Sequence, residues 1–350
     1  MQVQDLYLTN PLIKKKWQAF LTDCGITDFS ENEVAKIDET IGIYDGETLV
    51  ATGSIAGQVI KYVAVCQKGV TNGSRFNTIL TELINRLMQR GIYHIFVFTK
   101  PKYVTSFEHV GFEKLAGTTK GVLLESGRPN INDYLSDIPH VVSSYDKKIA
   151  SIVMNANPFT LGHRYLIEKA AKENDSVYVF VVSQDASLFT TTERVKLVSA
   201  GVADLSNVII VNGGDYMVSY TTFPAYFMQS ADDVIAYQTT LDARLFKEKI
   251  APELNITRRY LGSEPLSHTT NIYNQTLQRE LTDNIAVSVV PRKESSTGQV
   301  ISATTVRQAI ATNQVKLIAN MLPKTTMDFI KENMAVLQDR IKKGQKIHGN

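Results

Sequence analysis

From residue 149 onward the chain repeats one pattern, a short apolar run followed by a longer stretch with helical spacing. The runs at 149–154, 176–182, 207–212, 257–262 and 284–290 have strand length, and 162–173, 192–204, 231–250 and 268–281 between them read as helices. Strands separated by helices cannot be joined by tight turns. They lie parallel, and a parallel sheet needs helices over both faces. Ligands of such sheets bind beyond the carboxyl ends of the strands, where the strand order reverses. A last helix at 326–343, with Met327, Ile330, Met334, Leu337 and Ile341 on one side, is predicted to pack on this unit.

The first third follows another plan. An amphipathic helix at 11–24 precedes a strand ending at Tyr44, an Asp45-Gly46 turn, a strand at 49–55 and a strand at 59–65, so the opening sheet is antiparallel. A helix at 76–90, a strand at 94–99, a short helix ending at His109 and two final strands complete it. The expected domains are 1–128 and 148–350, joined by a polar linker at 129–147; two domains suit a chain of 350 residues.

Composition excludes several functions. Net charge is +2 with both signs interspersed, so no nucleic-acid partner is expected, and Lys14-Lys15-Lys16 reads most simply as a solvated helix face. The two cysteines, Cys24 and Cys66, have no metal-ligand spacing. No segment has the length of a signal peptide core or a bilayer span, so no membrane association and a cytoplasmic location are expected. No GxxxxGK[S/T] sequence occurs, which excludes a P-loop.

Two short segments carry the chemistry. Asn157-Pro158-Phe159-Thr160-Leu161-Gly162-His163 lies on the turn between the first parallel strand and its helix, where free N–H groups and the positive end of the helix dipole suit a phosphate. Thr160 and His163, three apart, can face one spot. Ile301-Ser302-Ala303-Thr304-Thr305-Val306-Arg307 opens another helix after a strand and a polar loop, and Arg307 could fork two N–H groups onto phosphate oxygens. Read singly, Gly-His at a helix start can be structural, and Ser-x-Thr before a helix can be a plain N-cap. Arg194, read locally, is an exposed helix arginine. Asp185 is a loop carboxylate that is either solvated or catalytic, and Lys293 is close enough in sequence to reach phosphate.

Thr160 to His163 resembles the (H/T)xGH signature, and Ile301 to Arg307 the ISxTxxR signature, of the nucleotidyltransferase superfamily. Phe107-Glu108-His109-Val110-Gly111-Phe112 resembles the late motif of GNAT acetyltransferases, while the turn Gln67 to Ser74 departs from the Q/RxxGxG/A pattern of that fold. Nearly the whole chain resembles the [citrate (pro-3S)-lyase] ligase family, through Ser183 to Phe189, Gly213-Gly214-Asp215-Tyr216 running on to Thr222-Phe223-Pro224-Ala225-Tyr226-Phe227, and Leu261-Gly262-Ser263-Glu264-Pro265.

The resemblance implies an α/β protein, with a GNAT-like α+β domain followed by a Rossmann-like parallel-sheet nucleotidyltransferase domain. It implies an ATP-dependent ligase that activates acetate as acetyl adenylate, releases pyrophosphate and acetylates the prosthetic-group thiol of the citrate lyase acyl carrier subunit, whose arm is a dephospho-CoA-like group. ATP would be a substrate with Mg²⁺, with no permanently bound cofactor and no certain metal ligand. His163 and Thr160 are then expected to be catalytic. Asn157, Phe159, Gly162, Arg194, Gly262, Glu264, Ser302, Thr304 and Arg307 join them in binding ATP, with Asp185 and Lys293 as further candidates. The front domain would bind the acyl or pantetheine arm or act in docking. Alternative activities are adenylyl transfer to a phosphopantetheine-like acceptor and GNAT acetyl transfer.

Overall fold

The computed structural model describes the chain except residues 1, 28, 30, 67–72, 143–146, 184–187, 218–230, 264–267, 293–300, 346 and 348–350; at 31–32, 231–233 and 268–269 it describes the backbone alone. Packing divides the chain into two units, Met1–Ser136 with Thr222–Leu241, and Asp137–Thr221 with Asp242–Asn350.

The first unit contains β1 (Val3–Asp5), α1 (Pro11–Asp23), α2 (Glu31–Val34), β2 (Glu39–Asp45), β3 (Thr48–Ala56), β4 (Val59–Val65), α3 (Ser74–Gln89), β5 (His94–Thr99), α4 (Val104–Glu108), β6 (Glu113–Gly117), β7 (Val122–Gly127) and α5 (Ile131–Ser136). The sheet order is β1-β2-β3-β4-β5-β7-β6. Every pairing is antiparallel except β4 with β5, which meet only at Val59↔Phe96 and Ile60↔Val97. One face carries Ile60 in a core with Ile79, Leu83 and Leu87 of α3; the other carries Tyr62 and Ala64 in a core with Trp17 and Leu21 of α1. Strict alternation would put residues 60, 62 and 64 on one face. An extra residue in β4, between the pairs Ser54↔Lys61 and Thr52↔Ala64, turns the strand over, and Tyr62 takes φ 53° to do so.

The stretch read as a linker begins instead with α5, which belongs to the first unit. Asn130 Oδ1 accepts the Asn132 and Asp133 N–H groups, and Asp133 Oδ2 accepts the Asn130 N–H, a reciprocal cap that starts the helix. Buried Glu125 fastens it, accepting the Ile131 N–H at 3.1 Å while its other oxygen lies 2.8 Å from His94 Nε2.

The second unit contains β8 (Ile149–Met154), α6 (Leu161–Glu173), β9 (Ser176–Val181), α7 (Thr191–Gly201) and β10 (Val208–Asn212). It continues through α8 (Ala231–Leu245), whose first part lies in the other unit, then α9 (Ala251–Glu253), β11 (Arg258–Gly262), α10 (His268–Leu281), β12 (Ala286–Val290), α11 (Ala303–Ala311), α12 (Lys324–Glu332) and α13 (Met334–Lys342). The sheet is wholly parallel in the order β10-β9-β8-β11-β12. The chain steps outward from β8 to β10, then returns to pair β11 on the other side of β8. The order reverses between β8 and β11, so their carboxyl ends face the ligand-binding crevice of this architecture.

Two helices differ from expectation. The stretch 231–250 is α-helical only to Leu245 and widens into a π turn at Phe246–Ile250, just before Pro252, which has no N–H to continue the ladder. The stretch 326–343 is split at Asn333 (φ −109°, ψ 15°), whose backbone N–H and side-chain amide both donate to the Phe329 carbonyl, at 3.0 and 2.9 Å. A 3₁₀ segment at Val315–Met321 was not legible in the sequence.

Candidate active site

Beyond the carboxyl end of β8 the chain turns into α6, and Thr160 caps that helix. The His163 N–H donates to Thr160 Oγ1 at 3.4 Å, and the Thr160 N–H donates back to His163 Nδ1 at 3.1 Å. Nδ1 is therefore an acceptor, and the Thr160 hydroxyl, 2.9 Å away, donates to it as well. The ring proton sits on Nε2, which has no acceptor among the described residues. Below the ring lies Phe159, fully buried and stacked at 5.9 Å with planes 16° apart. Phe159 in turn rests on Gly201 at the end of α7, where a Cβ would come within 2.4 Å of Phe159 Cε1. Imidazole position is thus fixed from the helix side and from beneath.

Three expected ATP contacts change character. Thr160 is 2% exposed, and its hydroxyl is hydrogen-bonded to the His163 imidazole. Phe159 has no exposure and acts as the floor under His163. Asn157 is almost buried; its Oδ1 accepts the Phe189 N–H and its carbonyl accepts from Arg307 Nη1 at 2.5 Å.

That last bond joins the two motifs across 150 residues. Ile301 packs beside Gly162, within 3.6 Å of where a Cβ would stand. Arg307 itself is 5% exposed, and its remaining donors are engaged: Nη2 with Thr304 Oγ1 at 3.0 Å and Nε with the Ile347 carbonyl at 2.8 Å. Its guanidinium is a buried tie between segments, not the open fork that the sequence suggested, and burial lowers its pKa. The Thr304 hydroxyl serves Arg307. Ser302 behaves differently from a plain N-cap, since its side chain makes no capping bond and its hydroxyl has no partner among the described residues.

Arg194 is likewise turned inward. It is fully buried on α7, donating to the carbonyls of Phe189 (3.2 Å), Asn155 (2.9 Å) and Val182 (2.5 Å), to Asn155 Oδ1 and to Thr191 Oγ1. It braces the loops after β8 and β9 and is neither an exposed helix arginine nor open to a ligand.

The groups that do face the crevice are few. The Leu161 and Gly162 N–H groups in the first turn of α6 have no acceptor among the described residues. A Cβ on Gly162 would make only ordinary contacts, so packing does not require glycine there. At the end of β11 a Cβ on Gly262 would meet nothing within 4 Å, which marks open space. The neighbouring Ser263 hydroxyl accepts the Arg292 N–H at 3.1 Å, fixing the backbone after β12. Arg292, half-buried, is a functional candidate that the sequence reading passed over; its signal was the Pro291-Arg292-Lys293 run directly after a strand. The His163 pKa is lowered to about 4, first by burial, then by Arg292 and Arg307. The imidazole is thus kept neutral, and the field of Arg292 and Arg307 reaches it. Asp185, Glu264 and Lys293 lie outside the described residues, as do Thr222 to Phe227 and most of the Gln67 to Ser74 turn. No group of three or more His, Cys, Asp or Glu side chains forms a metal cage among the described residues, and no helix there is long and apolar enough to cross a membrane.

Residues 149–330 match the family described as the citrate lyase ligase C-terminal domain. The chain is 36% identical over 321 residues to the [citrate [pro-3S]-lyase] ligase of Haemophilus influenzae, covering 88% of this chain and 94% of that protein. The [citrate [pro-3S]-lyase] ligase of Escherichia coli K12 is 34% identical, with 87% of this chain and 89% of that protein covered. A solved structure from Vibrio parahaemolyticus, assigned as a nicotinate-nucleotide adenylyltransferase, superposes on 55% of this chain and 96% of its own with 20% identity and a TM-score of 0.37. With matched residues spanning both units and both motifs, the chain belongs to the [citrate [pro-3S]-lyase] ligase family.

Proposed function

We propose that the protein activates acetate with ATP and passes the acetyl group to the thiol of the citrate lyase carrier subunit. One acetate oxygen attacks the α-phosphorus of ATP, the bond from that phosphorus to the bridging oxygen breaks, and pyrophosphate leaves. The carrier thiolate then attacks the acetyl carbon of acetyl adenylate, AMP departs, and the thiol proton passes to solvent. Acetate is ionised at neutral pH, so the first step needs no general base. Position and charge stabilisation are what the protein must supply.

The observation that carries this reading is the His163 cap. An imidazole held through Nδ1, kept neutral, with Nε2–H directed away from its helix, is a preorganised donor for charge building on the α-phosphate. The Leu161 and Gly162 N–H groups and the dipole of α6 add to it. Ser302 and Arg292 hold the leaving pyrophosphate, whose magnesium arrives as part of the ATP substrate. Arg307, Thr304, Thr160 and Asn157 position these groups without touching substrate. The first unit receives the carrier arm, with the separated ends of β4 and β5 as its opening.

The test is exchange of labelled pyrophosphate into ATP. Exchange that requires acetate supports the reading. Exchange that requires a phosphate ester, or acetyl-CoA turnover without ATP, refutes it. His163→Ala should lower the exchange rate by about 10²- to 10³-fold, the usual cost of losing one preorganised donor.

A further inference from the structure

In the first unit, α1 presents an outward stripe of Leu12, Lys15, Lys16 and Ala19, all exposed and spaced as one helical face. The inward side is Ile13, Trp17, Phe20 and Leu21, which fill the core against β4. Leu12 is 73% exposed, and Tyr7, just before the helix, is 67% exposed. They are the two most exposed large apolar side chains among the described residues of this unit. Half-buried Lys14 flanks the stripe.

The charge is unusual in kind. No carboxylate occurs between Asp5 and Asp23. Asp5 pairs with Arg86, and Glu39 with Arg90 at the end of α3, so these cations are neutralised, whereas Lys14, Lys15 and Lys16 make no ion pair among the described residues. They also stand in the first half of a helix capped by Asn10, with no acid in its first turn. Lys14 to Lys16 lie beyond that first turn, where the helix dipole acts little on cations, so the stretch is neither favoured nor opposed by it. It combines uncompensated positive charge with exposed apolar side chains, which is how a surface that recognises an acidic amphipathic helix is composed.

We propose that this face of α1 docks an acidic helical carrier protein, with Lys14, Lys15 and Lys16 meeting its carboxylates and Tyr7 and Leu12 seated on its apolar positions. The inference rests on the reading that a carrier subunit is the acetyl acceptor.

The experiment compares the full-length protein with Lys14→Glu/Lys15→Glu/Lys16→Glu and, separately, with Leu12→Ser. Three quantities are read: affinity for the carrier subunit by fluorescence anisotropy, kcat/KM for carrier acetylation, and acetate-dependent pyrophosphate exchange without carrier. Charge reversal should weaken carrier affinity and kcat/KM at least about tenfold at low salt, with the gap closing at high salt. Exchange should be unchanged, and thermal stability should change little. Leu12→Ser should weaken binding with little change in salt dependence. Carrier binding that is equal for wild type and the charge-reversed protein overturns the proposal, as does lysine-dependent binding of anionic vesicles or RNA with carrier kinetics intact. A wild-type protein that binds carrier through these lysines but shows no acetate-dependent exchange sinks the ligase mechanism and leaves the docking face standing.

Discussion

The decisive atom in the crevice is His163 Nδ1. Because it accepts the Thr160 N–H, protonation there would break the cap that starts α6, and the nearby guanidiniums oppose the same event. A titration followed by imidazole NMR should give a midpoint near the lowered value of about 4. Arg292→Gln removes one cation and should move the midpoint up toward the ordinary histidine value of about 6.5; no movement would place Arg292 too far away to hold the same anion. The linkage sign follows. An unfolded chain binds a proton at His163 below about pH 6.5 that the folded chain refuses until about pH 4. This residue therefore costs nothing above that window and lowers stability progressively as pH falls through it. Arg194 gives a contrasting case. As its donors all end on protein acceptors, Arg194→Lys should lower the thermal midpoint while ATP affinity of the folded fraction stays near wild type, measured by calorimetry. A selective loss of ATP affinity at unchanged stability would return Arg194 to the ligand.

At the scale of elements, the proposed function assigns the reacting end of the site to α6 and the leaving-group end to α11, and α7 and α13 pack around them. Thr190 caps α7 in a box with Glu193, and Arg340 of α13 grips both oxygens of Glu193 at 2.7 and 2.9 Å and the Leu188 carbonyl at 3.1 Å. Burial is the largest single effect on Glu193 and opposes its ionisation, but the hydrogen bonds and charge of Arg340 together with the Thr190 hydrogen bonds outweigh it and lower the pKa. A depressed carboxyl contributes stability above its unfolded pKa and loses it as pH falls through the folded one. Arg340→Leu should therefore lower the denaturant midpoint at pH 7, by about 1 kcal/mol for a pair still partly in contact with water, and should narrow its difference from wild type at pH 3. A constant difference across that range would mean that packing of the arginine stem, not charge, is what α13 contributes.

Over the whole molecule, the large pattern was legible because burial imposes it. β4, β5 and β8 have the bounds that apolar periodicity predicts, and α6 and α10 begin and end within one residue of them. Short or compensated elements escaped: β1 is three residues, and α5 hides in a polar stretch where its capping pair reads as a turn. Within the candidate site, the two motifs are segments that the fold brings together, but their spacing did not give the direction of each side chain. Thr160, Thr304 and Arg307 carry the groups a phosphate wants, yet their partners are protein atoms, and sequence spacing does not reveal which acceptor a donor chooses. Arg292 was overlooked for the converse reason: a lone arginine after a strand acquires meaning only once β11 and β12 are adjacent.

The bond from Arg307 to the Asn157 carbonyl has a consequence in the order of synthesis. A nascent chain grown as far as residue 300 has every strand of the parallel sheet, the capped histidine and its stacked floor, but lacks the tie that draws the two halves together. The final closure comes later still, since the Nε proton of Arg307 is taken by Ile347. Under the proposed function, a chain truncated before Ile347 should lose acetate-dependent pyrophosphate exchange, and full exchange by such a chain would show that this bond does not complete the site.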